Sequence, residues 1–285
     1  LPNGIEAMQT NVREAVRDAL TALIDYAGLF PPARLPMAQA VPEYLAARAG
    51  AYAWMLGRFI VPCSRTAELI EAVPGAEQCA ISLILDGGIA DVPRAAELRS
   101  SERRLAIEAL EILLEPSQVP EYAAQLRAHG LSNVPSYVEF RRDGAWTQTL
   151  AAGLPALGRY ALSAKVRCGG VVIEAFPTPS ELASFIEAAA REHVPFKATA
   201  GLHHPVRHLH EPTGFTMHGF LNLLAAAALA QRGASFAEIE RTIASENAAQ
   251  FAGEITAAAR ELFTGYGSCS FEEPVEDLRA MGVLA

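Results

Sequence analysis

Lysine is nearly missing from this chain. Only Lys165 and Lys197 occur in 285 residues, against 21 arginines, where about 15 lysines would be ordinary. The scarcity excludes lysine as the general solvated cation of this protein; arginine fills that role. An amine can lose its proton when buried and attack a carbonyl, which a guanidinium cannot do. The two surviving lysines are therefore candidates for chemistry. The alternative is compositional drift that left two structural lysines. Cysteine is also scarce: Cys63, Cys79, Cys168 and Cys269 have no C-x-x-C spacing, which favours a reducing, cytoplasmic setting over a disulfide framework. There is no basic stripe, and the net charge is −9, so no nucleic-acid partner is expected. No apolar run is long enough for a membrane span. The longest, from Phe220 to Ala230, falls short of the roughly 20 residues that crossing requires, and reads as a buried helix. The N-terminal stretch lacks the charged-then-apolar pattern of a signal peptide and reads as an amphipathic helix.

What is present is a large apolar fraction, 51%, enough for a sizeable core. Short apolar runs alternate with helical segments, the pattern of a parallel α/β fold. A helix is expected from Ile5 to Leu23 and a first strand near Ile24 to Phe30, ended by Pro31-Pro32. Further strands are expected at Arg58–Val61, Ala80–Leu85, within Leu105–Leu110, at Ser136–Phe140, Ala161–Val166, Pro195–Thr199 and Gly267–Phe271, with helices between them. No Pro/Ser/Gly-rich linker divides the chain. The expected architecture is a single (β/α)₈ barrel, the TIM-barrel form, over residues 1–285, with a helical, His-rich, lid-like segment inserted at 202–263 between strands seven and eight. A doubly wound sheet is the alternative, although Phe30-Pro31-Pro32-Ala33 is not a glycine-rich phosphate turn.

In such a barrel, catalytic groups sit at the carboxyl ends of strands. Lys165 and Lys197 each end an apolar run and precede a glycine turn, Gly169-Gly170 or Gly201. Adjacent strands would bring the amines close, and repulsion plus burial would lower the pKa of one toward neutrality. A neutral lysine can form a Schiff base with an aldehyde or ketone.

The stretch Lys165-Val-Arg-Cys-Gly-Gly170, a proline-led helix, and Phe196-Lys197-Ala-Thr-Ala-Gly201 resemble class I aldolases of the deoxyribose-phosphate aldolase type. Those enzymes carry K-T-S-T-G after strand six and F-K-x-x-G-G after strand seven. Tyr266-Gly-Ser-Cys-Ser270 and the final short helix, Val275 to Gly282, likewise resemble their F-G-A-S-S turn and terminal helix. The resemblance covers roughly the last 125 residues, with the lysines 32 residues apart. It implies Lys165 as the Schiff-base nucleophile, Lys197 as its pKa-lowering neighbour, and Gly267 to Ser270, with Ser268 among them, as an anion-binding turn. Three departures stand out. Leu202 replaces a second glycine that helps cradle phosphate, Val166 and Arg167 replace hydroxyl residues, and an extra segment of roughly 30 residues precedes the last strand. They point to a different substrate and put a phosphate group in doubt. The chain also resembles a bacterial family with the phrase F-K-A-T-A-G-L-H-H-P, which implies no activity.

Five of the seven histidines, His203, His204, His208, His210 and His218, fall in the inserted segment. Clustered histidine is a metal-ligand signature, and His203, His204 and His208 are the candidate ligands for a divalent ion such as Zn or Mn, although Pro205 and Pro212 interrupt a regular helix. Glu139, Glu108, Asp86 and Glu211 are the carboxylates that could complete a site. The bland alternative is a solvated loop in which Arg207, His203 and His204 bind substrate oxygens beside Gly201, Gly267 and Ser270. Glu139 lies on a buried strand, either as a proton shuttle to a lysine or as a structural partner of Arg58 or Arg141. Glu108 and Glu111 are similar, with strand register undecided. Cys168 beside Lys165 is either a packed residue or a thiolate. Asp25-Tyr26 could supply an acid.

The expectation is a cytoplasmic lyase or aldolase acting on a small carbonyl compound through a lysine Schiff base, with no required cofactor. A metal-dependent isomerase, lyase or hydrolase of the same fold is the first alternative. A non-catalytic binder of a small anion is the second. Neither membrane nor nucleic acid is an expected partner, and a homo-oligomer is left open.

Overall fold

The computed structural model describes residues 16–75, 77–211 and 213–284. Most of the helix expected from Ile5 lies outside them; residues 16–20 are helical. Eight parallel strands close into a barrel: β1 (Ile24–Tyr26), β2 (Leu56–Pro62), β3 (Cys79–Ile84), β4 (Leu105–Leu113), β5 (Ser136–Glu139), β6 (Ser163–Arg167), β7 (Phe196–Thr199) and the last strand, β10 (Phe263–Ser268), which returns to pair with both β7 and β1. Between β7 and β10 a short antiparallel hairpin, β8 (His208–His210) and β9 (Phe215–Met217), stands apart from the barrel.

Helices α1 (Met37–Ala49), α2 (Thr66–Ala72), α3 (Val92–Ser101), α4 (Val119–Ala128), α5 (Trp146–Arg159) and α6 (Pro179–Arg191) connect the strands up to β7. Their starts follow from local chemistry. Thr178 accepts a hydrogen bond from the Glu181 backbone N–H at 3.1 Å, Glu181 answers to the Thr178 N–H at 2.7 Å, and Pro179 fits the first turn. Strands such as Phe59-Ile60-Val61 and Ile81-Ser82-Leu83 are buried on both faces, as expected where helices cover the sheet.

The segment 202–263 is not uniformly a lid. Only its first part, through Met217, borders the central cavity. Helix α7 (Phe220–Gln231) is apolar almost all round and almost wholly buried. It packs against α6, α8 (Phe236–Ala244) and β10, in the place of a barrel helix. Helix α9 (Glu272–Ala280) follows the last strand. Among the described residues no helix is long and apolar enough to cross a membrane.

Candidate active site

Lys165 and Lys197 are register partners on β6 and β7, and Glu139 on β5 is the register partner of Lys165. All three therefore stand at one level near the carboxyl ends of neighbouring strands. Beyond β7 the chain turns through Ala200 and Gly201 in the left-handed region, φ 62° and 70°. A Cβ at Gly201 would lie 3.0 Å from Gly169 Cα. The two glycine turns that follow the lysines thus pack against each other, and a larger residue at Gly201 would be both strained and crowded.

Carboxylates surround the amines. Lys197 Nζ donates to Asp25 Oδ2 at 2.6 Å and to Glu111 Oε1 at 2.6 Å. Lys165 Nζ donates to Glu111 Oε2 at 3.0 Å and pairs with Glu139 Oε2 at 2.9 Å. The string continues outward. Ser82 Oγ donates to Glu111 Oε1 at 2.6 Å, the Arg58 backbone N–H donates to Asp25 Oδ1 at 2.8 Å, and Arg167 Nε lies 3.6 Å from Glu139 Oε1. Gly57 makes room for Asp25, because a Cβ there would lie 2.4 Å from Asp25 Oδ1.

This arrangement corrects the expectation that two bare ammonium groups lower one another's pKa. Burial does push the Lys165 ammonium toward neutrality, but Glu111 and Glu139 outweigh it and hold its pKa above the ordinary lysine value. Lys197 is likewise raised: burial opposes its charge, and Asp25 and Glu111 prevail. Burial raises the Glu111 carboxyl, but Lys197, Lys165 and Ser82 bring it far below the usual carboxylate range. Alternating charge, not repulsion, governs the site.

A cavity of about 850 Å³ opens above these groups, lined by Lys165, Glu111, Arg167, Thr199, His203 and Cys269 among others. Lys197, 1% exposed, lies beneath it and does not line it. A smaller cavity of about 240 Å³ meets Lys165 from the side of Glu139, Arg141 and Arg142. Lys165 is thus the amine with access, and Lys197 the buried brace.

Gly201, Gly267, Ser270, His203 and His204 line the main cavity as expected of substrate-binding groups. Ser268 does not; it is buried, and its Oγ accepts from the Ser270 N–H at 3.4 Å. Arg207 does not line it either. Its Nη1 donates to His218 Nδ1 at 3.1 Å, and His218 Nε2 donates to the Pro177 carbonyl at 2.7 Å. Burial drives the His218 pKa down to about 4, so this pair is a neutral-ring brace at the base of the hairpin.

Of the candidate metal ligands, His204 and His208 meet edge to face, ring centroids 4.3 Å apart, and each of the three has a separate partner. His203 Nδ1 binds Glu273 at 2.9 Å, His204 Nδ1 binds Asp277 at 2.5 Å, and His208 Nδ1 donates to the Val206 carbonyl at 3.1 Å. Among the described residues no group of three or more His, Cys, Asp or Glu side chains is gathered so as to hold a metal ion. Cys168 is fully buried and its thiol is pushed well above the ordinary range by burial, so the packing role fits it.

Two members of the site have little signal in the sequence. Asp25 lies on a three-residue strand, and Glu111 shares β4 with Glu108. Glu108, three residues before Glu111 on β4, is exposed, and its Oε2 lies 3.5 Å from Arg58 Nε. No family model matches this chain, and no curated protein matches it.

Proposed function

We propose that this protein is a lyase of the aldolase kind, acting on a small carbonyl compound through a Schiff base at Lys165. The observation that carries this reading is the Lys165 amine at the floor of a large cavity, held between Glu111 and Glu139. At rest the amine is an ammonium. When a carbonyl compound enters, Lys165 passes a proton to Glu139, the more accessible of its two carboxylates. The neutral amine then adds to the carbonyl carbon, and loss of water gives a protonated imine. That cation occupies the position of the ammonium and keeps the same two carboxylate partners. The pairing that disfavours the free amine therefore favours the iminium.

The iminium is the electron sink. The bond between the α and β carbons breaks, its electrons enter the iminium, and the β-hydroxyl loses its proton to a carboxylate as the second carbonyl fragment leaves. Protonation of the enamine and hydrolysis return Lys165. Lys197 touches no substrate in this scheme; with Asp25 and Ser82 it fixes the Glu111 carboxylate. No resident cofactor enters any step.

Deuterium exchange tests the proposal without knowledge of the natural substrate. Small ketones incubated with the protein in D₂O should gain deuterium on the carbon next to the carbonyl, through the enamine. Lys165→Arg should lose that exchange. Exchange that persists undiminished in Lys165→Arg contradicts the proposal.

A further inference from the structure

The same cavity is lined by a thiol, an imidazole and a carboxylate that the lysine chemistry does not use: Cys269, His203 and Glu273. Topology brings them together. Cys269 directly follows β10, His203 follows β7, and these two strands are hydrogen-bonded neighbours. Glu273 lies in the first turn of α9. His203 Nδ1 is 2.9 Å from Glu273 Oε2, so the carboxylate accepts the Nδ1 proton and fixes the ring. In the neutral ring Nε2 is then the acceptor, and Cys269 Sγ lies 3.8 Å from it and 4.0 Å from Nδ1. Cys63, Cys79 and Cys168 are each fully buried and line no part of this cavity, whereas Cys269 is 8% exposed and opens onto it.

We propose that Cys269, His203 and Glu273 form a second reactive centre, in which the Cys269 thiol adds to the carbonyl carbon of a small aldehyde. His203 Nε2 takes the thiol proton. Sulfur forms the S–C bond, the C=O π pair moves to oxygen, and His203 returns the proton to that oxygen. The product is a hemithioacetal. The step is reversible along the same path, with no oxidant or reductant. The activated thiol stands on the triad geometry alone. The choice of an aldehyde rests on the proposed function, since an aldol cleavage in this cavity generates one.

Iodoacetamide at pH 7, followed by peptide mapping, tests the thiol. Cys269 should be alkylated at least about tenfold faster than glutathione, because His203 stands beside it to take the thiol proton as sulfur attacks. Cys63, Cys79 and Cys168 should stay unlabelled in the same sample. His203→Gln should slow labelling at least about tenfold, and Glu273→Gln, which frees the ring without removing it, by a smaller factor. Thermal unfolding of each variant separates lost activation from a lost fold. The aldehyde is tested in Lys165→Arg, where no imine can form: glycolaldehyde should still protect Cys269 from alkylation. Labelling of Cys269 no faster than glutathione, or unaffected by His203→Gln in a folded variant, overturns the reactive centre. Fast labelling with no protection in Lys165→Arg overturns the aldehyde assignment.

Discussion

Lys165 and Lys197 stand opposite one another on neighbouring strands, and each takes one oxygen of the same carboxylate, Glu111. The two amines are thus coupled through an anion instead of repelling across a gap. Each charge in the string is balanced by its neighbours, so removing one leaves the buried groups beside it short of a partner.

Lys197→Met takes the shared cation from two buried carboxylates: Glu111 keeps only Lys165 and Ser82, and Asp25 keeps only Arg58. Breaking a buried pair from one side costs about 3–5 kcal/mol. In a domain of this size that lowers Tm on the order of 10 °C. Adding Glu111→Gln should recover part of the loss. A Lys197→Met variant that melts with the unaltered protein contradicts the bracing role.

Glu139→Gln removes one of the two carboxylates that hold the Lys165 pKa up. The pKa should then fall. The neutral amine becomes available at lower pH, and the pH profile of imine formation should move toward acid. Borohydride trapping rates measured from pH 6 to pH 10 read this directly. A profile that moves toward alkali contradicts the role of Glu139. Its loss as proton acceptor should also lower the maximal rate, which keeps the two contributions separable.

Burial opposes charge on His203, but its contacts with Cys269 and Glu273 raise its pKa to about 9. A raised folded-state pKa stabilises the fold fully below the ordinary imidazole value, and that contribution fades as pH rises through about 9. Glu273 is half-exposed, so the pair is worth less than about 1 kcal/mol. Glu273→Gln should therefore lower Tm slightly near pH 6 and not at all near pH 10. A deficit that grows with pH contradicts the pairing.

The barrel was legible in the sequence because apolar runs and helical segments alternate along the chain. Helix α1 fills the expected interval between the first two strands, and the buried Phe220 helix follows from its almost wholly apolar composition. The lysines were legible through their rarity. Glu111 was not, because side-chain direction depends on register. The pairing of β3 with β4 shifts between Ile81 and Ser82, and on β4 Ala109, Leu110 and Glu111 are buried in succession. That irregularity breaks the simple alternation. Strand β4 also runs on to Leu113, past the expected Leu110. Asp25 reaches Lys197 only through closure of the barrel between β1 and β10, a contact 172 residues apart in sequence. The hairpin of β8 and β9, in a stretch that reads as a His-rich loop, and the pairing of His203 with Glu273 likewise depend on contacts that local pattern does not encode.

Borohydride reduction in the presence of small aldehydes and ketones, followed by peptide mapping, tests the lysine assignment most directly. With only two lysines in the chain, the modified residue is unambiguous. The prediction is a stable mass increment on Lys165, none on the buried Lys197, and none in Lys165→Arg, because guanidinium cannot form the imine. An increment on Lys197 instead, or no increment on either lysine while turnover of a carbonyl compound is observed, would contradict it.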